Sequence, residues 1–342
     1  MHDIIVIGAS AGGVEALKKL TTSLPKGLQA AIFVVVHFPS SSTSVLPAIL
    51  QRSGAFPATH AEDREPIQEG HIYIGPPSYH MLLADHETQL MRGPREHGFI
   101  PAIDPLFRSA AATFGPRVVG VILSGTMGDG ASGLHAIKEA GGIAIVQDPD
   151  EAIFPEMPLN AIEHVDVDYV LPLSGIARKL VQLSESPALE EEFEMMNDSN
   201  QSEMEEIQED IQGYVKGEDS KSITTLTCPD CGGVIWELRE GNILHYRCHI
   251  GHKYSPNSML ARQGEALETA LSSAVRALEE RAMLLNRMAI RSETKGSPKT
   301  AARFRQKAEE MERQADVIRQ VIAQGVDVVL VENLTSGTKN DH

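Results

Sequence analysis

Asp3-Ile4-Ile5-Val6-Ile7-Gly8-Ala9-Ser10-Ala11-Gly12-Gly13-Val14-Glu15-Ala16-Leu17 is the stretch that decides how this chain of 342 residues is read. An apolar run of strand length meets a turn of small residues and then a segment suited to a helix. Ser10 lies in the turn, where its small neighbours permit a sharp reversal that presents the hydroxyl at a sheet edge. That is the shape of a G-x-S-x-G nucleophile elbow. The same residues read almost as well as a loop cradling a phosphate at a helix N-terminus. Nucleophile and nucleotide-binding turn are both open at this point.

Working outward, Ala31–Val36, Ile72–Ile74, Val118–Leu123 and Ile143–Val146 repeat the pattern of Ile4–Ile7. They are nearly all apolar, rich in β-branched residues and without alternation, as strands buried on both faces are. Helices are predicted between them, over Val14–Ser23, Ser44–Arg52, Pro105–Phe114 and Ala131–Ala140. Gly141-Gly142 stops the last one. This β-α-β rhythm predicts an α/β fold over residues 1–184, a doubly wound, mostly parallel, Rossmann-like three-layer sheet. Asp85–Met91 reads as an antiparallel excursion from it.

The net charge of −17 argues against general nucleic-acid binding, but it is unevenly spread. Glu185 to Asp219 holds 13 acidic residues against one lysine, Lys216, so about −12 of the charge lies there. With few large apolar residues, 185–222 reads as a solvated acidic linker, with an acidic helix over Glu203–Gln212 as the alternative within it. No apolar run approaches the roughly 20 residues of a membrane span, and the N-terminus lacks a basic region and a long apolar core of a signal peptide. Cytoplasmic residence without membrane insertion is the expectation.

Cys228, Cys231 and Cys248 are the only cysteines and share one short window. An odd number clustered in a cytoplasmic chain points to a metal rather than to disulfides. Cys228-Pro229-Asp230-Cys231 and Cys248-His249-Ile250-Gly251-His252 form a C-x₂-C and a C-x₃-H turn around a hairpin-like span. That spacing suits tetrahedral zinc. Cys228, Cys231, Cys248 and His252 are the best ligands, with His249 as the alternative fourth and His245 a weaker one. A full ligand set makes the zinc structural, in a ribbon-like module over residues 223–256. Beyond it, Leu267, Leu271, Ala274, Leu278 and Leu285 hold a 4-3 spacing that Arg281 interrupts, Gly296-Ser297-Pro298 breaks the helix, and Phe304, Ala308, Met311, Ala315, Ile318 and Ile322 resume the spacing without a gap. Residues 257–325 therefore read as a helical hairpin or a coiled-coil element that pairs two copies of the chain. Residues 326–342 read as a tail.

The dinucleotide reading demands glycine where Ser10 stands, and an acid at the end of the second strand for a ribose hydroxyl. Ala31–Val36 ends instead in His37-Phe38-Pro39. Histidine is wrong for a ribose and right for activating a serine. A third strand end opens Ser124-Gly125-Thr126-Met127-Gly128-Asp129-Gly130, which leads into a helix. In a doubly wound sheet such ends converge on one edge. A neutral hydroxyl needs a base within reach and an acid to orient that base. Ser10, His37 and Asp129 meet that requirement together, although an aspartate before a helix is often only a cap. Asp148, which also follows a buried strand, is the alternative acid.

At these residues the chain resembles the chemotaxis-type protein-glutamate methylesterases, over roughly Asp3 to Leu183. The resemblance rests on Ile7-Gly8-Ala9-Ser10-Ala11-Gly12-Gly13, Val36-His37-Phe38-Pro39, Ile72-Tyr73-Ile74-Gly75-Pro76, Pro101-Ala102-Ile103-Asp104-Pro105-Leu106-Phe107-Arg108-Ser109-Ala110, Gly128-Asp129-Gly130-Ala131 and Phe154-Pro155-Glu156-Met157-Pro158. It implies Ser10 as nucleophile, His37 as general base and Asp129 as its orienting acid. His80 matches a family position and reads as lining the cleft or as a structural histidine beside a strand. The chain departs from the family at Ala11, usually threonine, at Val36, usually glutamine, at Ile100, often arginine, and at Met127, displaced by one position in the glycine-rich loop.

What the resemblance implies is a carboxylic ester hydrolase. It would release methanol from glutamyl γ-methyl esters of a methylated chemoreceptor or related signalling protein, with no catalytic cofactor. Backbone N–H groups at Ala11, Thr126 and Met127 are the candidate oxyanion donors, and deamidation of glutamine is an associated activity. The cysteine segment looks like one that follows the esterase domain in receiver-less relatives. With the first strand starting at residue 3, no phospho-acceptor domain is expected ahead of it, so control falls to a regulatory protein partner. The other reading is a signalling adaptor that binds partners through the zinc and helical modules without turnover.

Overall fold

Residues 1–37, 44–84, 86–188, 222–240 and 243–324 are described by a computed structural model of the chain. The expected acidic helix at 203–212, most of the linker and the tail lie outside the described residues.

Ile4–Ala9 forms β1, buried at all six positions, and Ala31–Val36 forms β2 beside it in parallel register, Ile4 opposite Ala31 through Ala9 opposite Val36. Five further parallel strands complete the sheet: β3 (Ala58–His60), β5 (Ile72–Ile74), β8 (Val118–Ile122), β9 (Ile143–Gln147) and β10 (Tyr169–Leu171). Their order is β10-β9-β8-β1-β2-β5-β3. Chain progression reverses around β1, which pairs with β2 on one side and β8 on the other. The carboxyl ends of these three strands therefore form the crevice where ligands bind in such sheets.

Alternation along β1 feeds two cores. Ile5 and Ile7 pack beneath α1 (Gly13–Ser23), α2 (Leu46–Ser53) and α6 (Leu173–Ser184) through Leu17, Leu20, Leu50, Ile176 and Leu180. Ile4 and Val6 face the opposite layer, α3 (Ile103–Phe114), α4 (Ala131–Glu139) and α5 (Glu156–His164), through Leu106, Phe107, Leu134 and Ala161. Each large apolar side chain fully buried this way contributes about 1.5–3 kcal/mol. The antiparallel excursion is a three-stranded sheet of β4 (Glu65–Pro66), β7 (Glu87–Met91) and β6 (His80–Ala84), in that order.

The cysteine segment folds as an antiparallel sheet, β11 (Ser222–Thr227), β12 (Val234–Glu240), β13 (Ile243–Cys248) and β14 (Lys253–Tyr254). Its small core joins Cys228, Ile235, Cys248, Tyr254 and Met259. Met1–Met259 forms one compact unit, so this sheet belongs with the seven-stranded domain, and the residues from Leu260 form a second unit.

In that second unit the remainder of α7 (Pro256–Thr294) and α8 (Pro298–Ala323) run antiparallel, tied by Arg305 to Glu293 at 2.6 Å and by Arg319 to Glu279. The buried seam shares Ala308 and Ala315 with the predicted stripe on α8 but lies beside that stripe on α7. It runs through Val275, Ala282 and Ala289 on one helix and Ala301, Ala308 and Ala315 on the other, at heptad spacing, while Leu267 is 45% exposed. Small residues at the contact let helix backbones approach closely, so larger ones are displaced to its flanks. Among the described residues no helix is long and apolar enough to cross a membrane.

Candidate active site

Ser10 and His37 each stand one residue past the paired ends of β1 and β2, where Ala9 is opposite Val36. The His37 N–H donates to the Ala9 carbonyl at 3.1 Å, and the Ser10 N–H donates to the Ser124 carbonyl at 3.0 Å. These bonds continue the sheet register past its edge and bring Ser10, His37 and the loop after β8 together.

Glycine is required at two points of this edge. Gly12 has φ of +74° and caps α1, and a Cβ there would lie 2.7 Å from Ser124 Oγ. A Cβ at Gly125 would lie 2.8 Å from the Ser10 Cβ and 2.1 Å from Met157 Sδ, so no side chain fits. Ser124 Oγ donates to the Ala11 carbonyl at 2.8 Å and accepts from the Phe154 N–H at 3.0 Å. A buried serine thus laces the Ser10 turn to the 154 segment, a role that carried no signal in the sequence.

Asp129 accepts from His37 through Oδ2 at 2.7 Å, and both side chains are almost wholly buried. The same carboxylate accepts the N–H of Ile103 at 2.7 Å and of Asp104 at 3.0 Å, the first donors of α3. Orphan N–H groups at a helix N-terminus and the helix dipole both favour a carboxylate there. With Nε2 engaged, His37 Nδ1 is buried and unpartnered among the described residues. The ring is stacked on Phe99, centroids 3.8 Å apart and planes 6° from parallel. Ser10 Oγ makes no hydrogen bond to the ring among the described residues, and such bonds commonly tighten only when substrate binds. The N–H groups of Ala11, Thr126 and Met127 likewise donate to no atom of the described residues. Met127 has φ of +69°, in the left-handed region where a methionine is strained.

Two sequence candidates are placed elsewhere. Asp148 accepts the Asp150 N–H at 3.0 Å and shapes its own turn, with no bond to His37. His80 is fully buried in β6, where it donates from Nε2 to the Pro94 carbonyl at 2.9 Å and accepts the Ala102 N–H at Nδ1. Burial lowers its pKa, in keeping with a neutral ring that pins the chain before α3 rather than lining the cleft.

Behind Asp129 lies a second layer that no local sequence pattern signals. His97 donates from Nε2 to Asp104 Oδ2 at 2.9 Å, and Asp104 Oδ1 accepts the Gly133 N–H at 2.7 Å. Burial alone would raise the Asp104 pKa, but the hydrogen bond from His97 and the positive charges of Arg108 and Lys253 hold it well below the usual carboxylate range. Burial opposes charge on His97 while the Asp129 and Asp104 carboxylates draw its pKa up. The Ser255 N–H, donated to Nδ1 at 3.1 Å, requires a lone pair there and so decides for the neutral Nε2–H tautomer. Nearby, Glu96 is bound by Arg108 at 2.9 Å. Against burial, Arg108 and Lys253 bring its pKa down to about 2.

The cysteine cluster has the dimensions of a metal site. Cys228, Cys231, Cys248 and His252 bring one donor atom each within 4.8 Å of all the others. Cys231 and Cys248 Sγ are 3.7 Å apart, and His252 Nδ1 is 3.5 Å from both Cys228 and Cys248 Sγ. Tetrahedral zinc with bonds of about 2.3 Å to sulfur and 2.0 Å to nitrogen requires donor separations of about 3.8 and 3.5 Å. The residues fit. Neither His249 nor His245 belongs to this donor set.

Comparison with known proteins concerns the first half of the chain. The family model described as CheB methylesterase matches residues 5–180. A Leptospira interrogans protein, provisionally named protein-glutamate methylesterase/protein-glutamine glutaminase, is 39% identical over 186 residues, 54% of this chain and 96% of its own. A Methanosarcina mazei protein of the same name, numbered 2, is 34% identical over 54% of this chain, which spans 52% of its length. The crystal structure of the Thermotoga maritima CheB methylesterase catalytic domain superposes with a TM-score of 0.51 at 32% identity, covering 53% of this chain and 98% of that one. With half of its length matched by the family model and its sheet edge built as described, the chain belongs to the CheB methylesterase family.

Proposed function

We propose that the chain is a protein-glutamate methylesterase acting on methylated chemoreceptor-type signalling proteins. The observation that carries this reading is the buried His37–Asp129 hydrogen bond of 2.7 Å one strand away from Ser10. Ser10 Oγ attacks the γ-carbonyl carbon of a glutamyl methyl ester while His37 Nδ1 takes the hydroxyl proton. Asp129 holds the ring by Nε2 and stabilises the imidazolium. Ala11, Thr126 and Met127 offer N–H groups to the oxyanion, each such donor being worth roughly 10²–10³-fold in rate. Collapse of the tetrahedral intermediate breaks the ester C–O bond, and His37 returns the proton to the leaving methoxide as methanol. Water, deprotonated by His37, then attacks the acyl-enzyme, giving a glutamate carboxylate and restoring the serine.

The same steps hydrolyse a γ-amide with ammonia as leaving group, and relatives named for both activities support glutamine deamidation here as well. A non-catalytic adaptor is not favoured, because the buried acid–base pair would be idle in it. Zinc in the Cys228/Cys231/Cys248/His252 site would supply a structural crosslink and no chemistry to the ester. The division into residues 1–184, 185–222, 223–256, 257–325 and 326–342 and control by a partner protein belong to this proposal. So does pairing of two copies through α7 and α8, which Leu284 and Ile290, exposed on α7, would support. Methanol release from a methylated receptor fragment tests the reading. Turnover at the wild-type rate by Ser10→Ala would remove it.

A further inference from the structure

Four consecutive residues connect the cysteine site to the neighbourhood of Asp129. His252 is one of the four potential ligands. Lys253 pairs its backbone with the segment before α3, accepting the His97 N–H at 2.6 Å and donating to the Arg95 carbonyl at 3.2 Å. Tyr254, fully buried, sets its hydroxyl 3.2 Å from Cys228 Sγ and donates to Asp230 at 2.5 Å. The Ser255 N–H donates to His97 Nδ1 at 3.1 Å. Alternation along an extended segment turns 252 and 254 to the thiols and 253 and 255 to the esterase domain.

From His97 the path is short. Ser258 Oγ, in the first turn of α7, lies 3.0 Å from Nδ1, and Nε2 donates to Asp104, whose own N–H donates to Asp129 Oδ1. A second approach reaches the loop before Asp129: a Cβ at Gly128 would lie 3.0 Å from Ser255 Oγ. Residues 252–258 therefore touch both supports of the orienting acid. Nothing in the ester chemistry uses these contacts, and a structural metal would need none of them.

We propose that His97 is a positioning residue through which metal binding at Cys228, Cys231, Cys248 and His252 sets the competence of the Ser10–His37–Asp129 centre. The inference rests on the zinc and esterase readings above. With the site filled, β14 is held, Ser255 and Ser258 fix the His97 ring by Nδ1, and Asp104 is kept where its N–H meets Asp129. Without metal the ligand-bearing turns loosen, the Nδ1 partners leave, and Asp129 loses one of its three direct donors.

The test compares the full chain loaded with zinc and stripped by a chelator. Its readouts are the rate of Ser10 labelling by a fluorophosphonate, methanol release, and the imidazole N–H proton resonance that His97→Gln deletes. Stripping is expected to abolish that resonance and to slow labelling and turnover about tenfold, within the loss that small misplacements of catalytic groups cause. Zinc should restore both, and magnesium should not. In His97→Gln, labelling should already be slow and change less than twofold on stripping. Ser258→Ala, a milder change that leaves the Ser255 donor, should give an intermediate metal dependence. An equal loss in wild type and His97→Gln would overturn the proposal, as would an unchanged resonance on stripping or less than half a zinc per chain. A chain that loads zinc and loses the resonance on stripping, yet neither labels nor releases methanol, would sink the esterase reading and leave the structural link standing.

Discussion

Between His37 and Asp129 the hydrogen bond runs from Nε2 to Oδ2, which leaves Nδ1 as the buried ring nitrogen without a partner among the described residues. The acid therefore selects the tautomer as well as the orientation: Nε2 carries the proton and Nδ1 keeps the lone pair that a base needs. Asp129→Asn would oppose an amide to two helix N–H donors and a ring N–H, and whichever way it turned one donor would face another. Activity should fall by about 10²–10⁴-fold, in the range of acid replacement in Ser-His-Asp sites. Methanol release measures it, and retained turnover within threefold of wild type would show that the ring is oriented by something else.

How much of this was legible follows from where each signal resides. Strands such as Ile4–Ala9 announce themselves because burial on both faces demands an unbroken apolar run. Ser10, His37 and Asp129 are legible as a group because all three follow such runs, and parallel strands bring their carboxyl ends to one edge. Ser124, His97 and Phe99 carry no such signal, since their roles depend on contacts between segments 30 to 161 residues apart, which no local pattern encodes. The short edge strands β3 and β10 escaped for a related reason, being three residues each and only partly buried. On α8 the sequence stripe contains the buried Ala308 and Ala315, whereas on α7 the leucine spacing suggests a seam and the helix buries Val275, Ala282 and Ala289 beside it.

The Gly125 loop is packed without slack. In Gly125→Ala the new methyl would collide with Met157 Sδ and approach the Ser10 Cβ. Overpacking of this kind costs about 1–3 kcal/mol, so thermal unfolding should shift downward and turnover should fall with it. Adding Met157→Ala removes the first collision and leaves the second. The double variant should recover most of the overpacking loss in melting temperature, with labelling of Ser10 still impaired. Full recovery of both would mean that the loop does not set the position of the nucleophile.

Glu96 makes the acid side of stability testable. Its carboxyl is buried and, against that burial, Arg108 and Lys253 bring its pKa down to about 2 from an ordinary 4.5. A depressed folded-state value means that the stabilisation is complete above the unfolded pKa and is lost as pH falls through the folded one. Glu96→Gln should therefore be destabilised relative to wild type at pH 7, by about 3 kcal/mol on the linkage scale. The gap should begin to close below pH 4.5, measured as the difference in urea midpoint. A gap that stays constant between pH 7 and pH 3.5 would count against the ion pair as its cause.

Metal content provides the last prediction. The donor separations of 3.5 to 3.7 Å match a closed tetrahedral set, and three of the four donors are cysteines, which bind as thiolates. One zinc per chain is expected after expression in zinc-supplemented medium. Cys231→Ser removes an exposed ligand without opening the small core around Tyr254, so its effect reports on the metal rather than on packing. Because binding energy of such sites is folding energy, zinc content should fall below half and amide exchange should accelerate in β11–β14. Exchange in β1, β2 and β8 should stay as in wild type, since their protection comes from the two apolar layers around them. Equal acceleration in both sheets would show that the cysteine module and the seven-stranded domain unfold as a single cooperative unit.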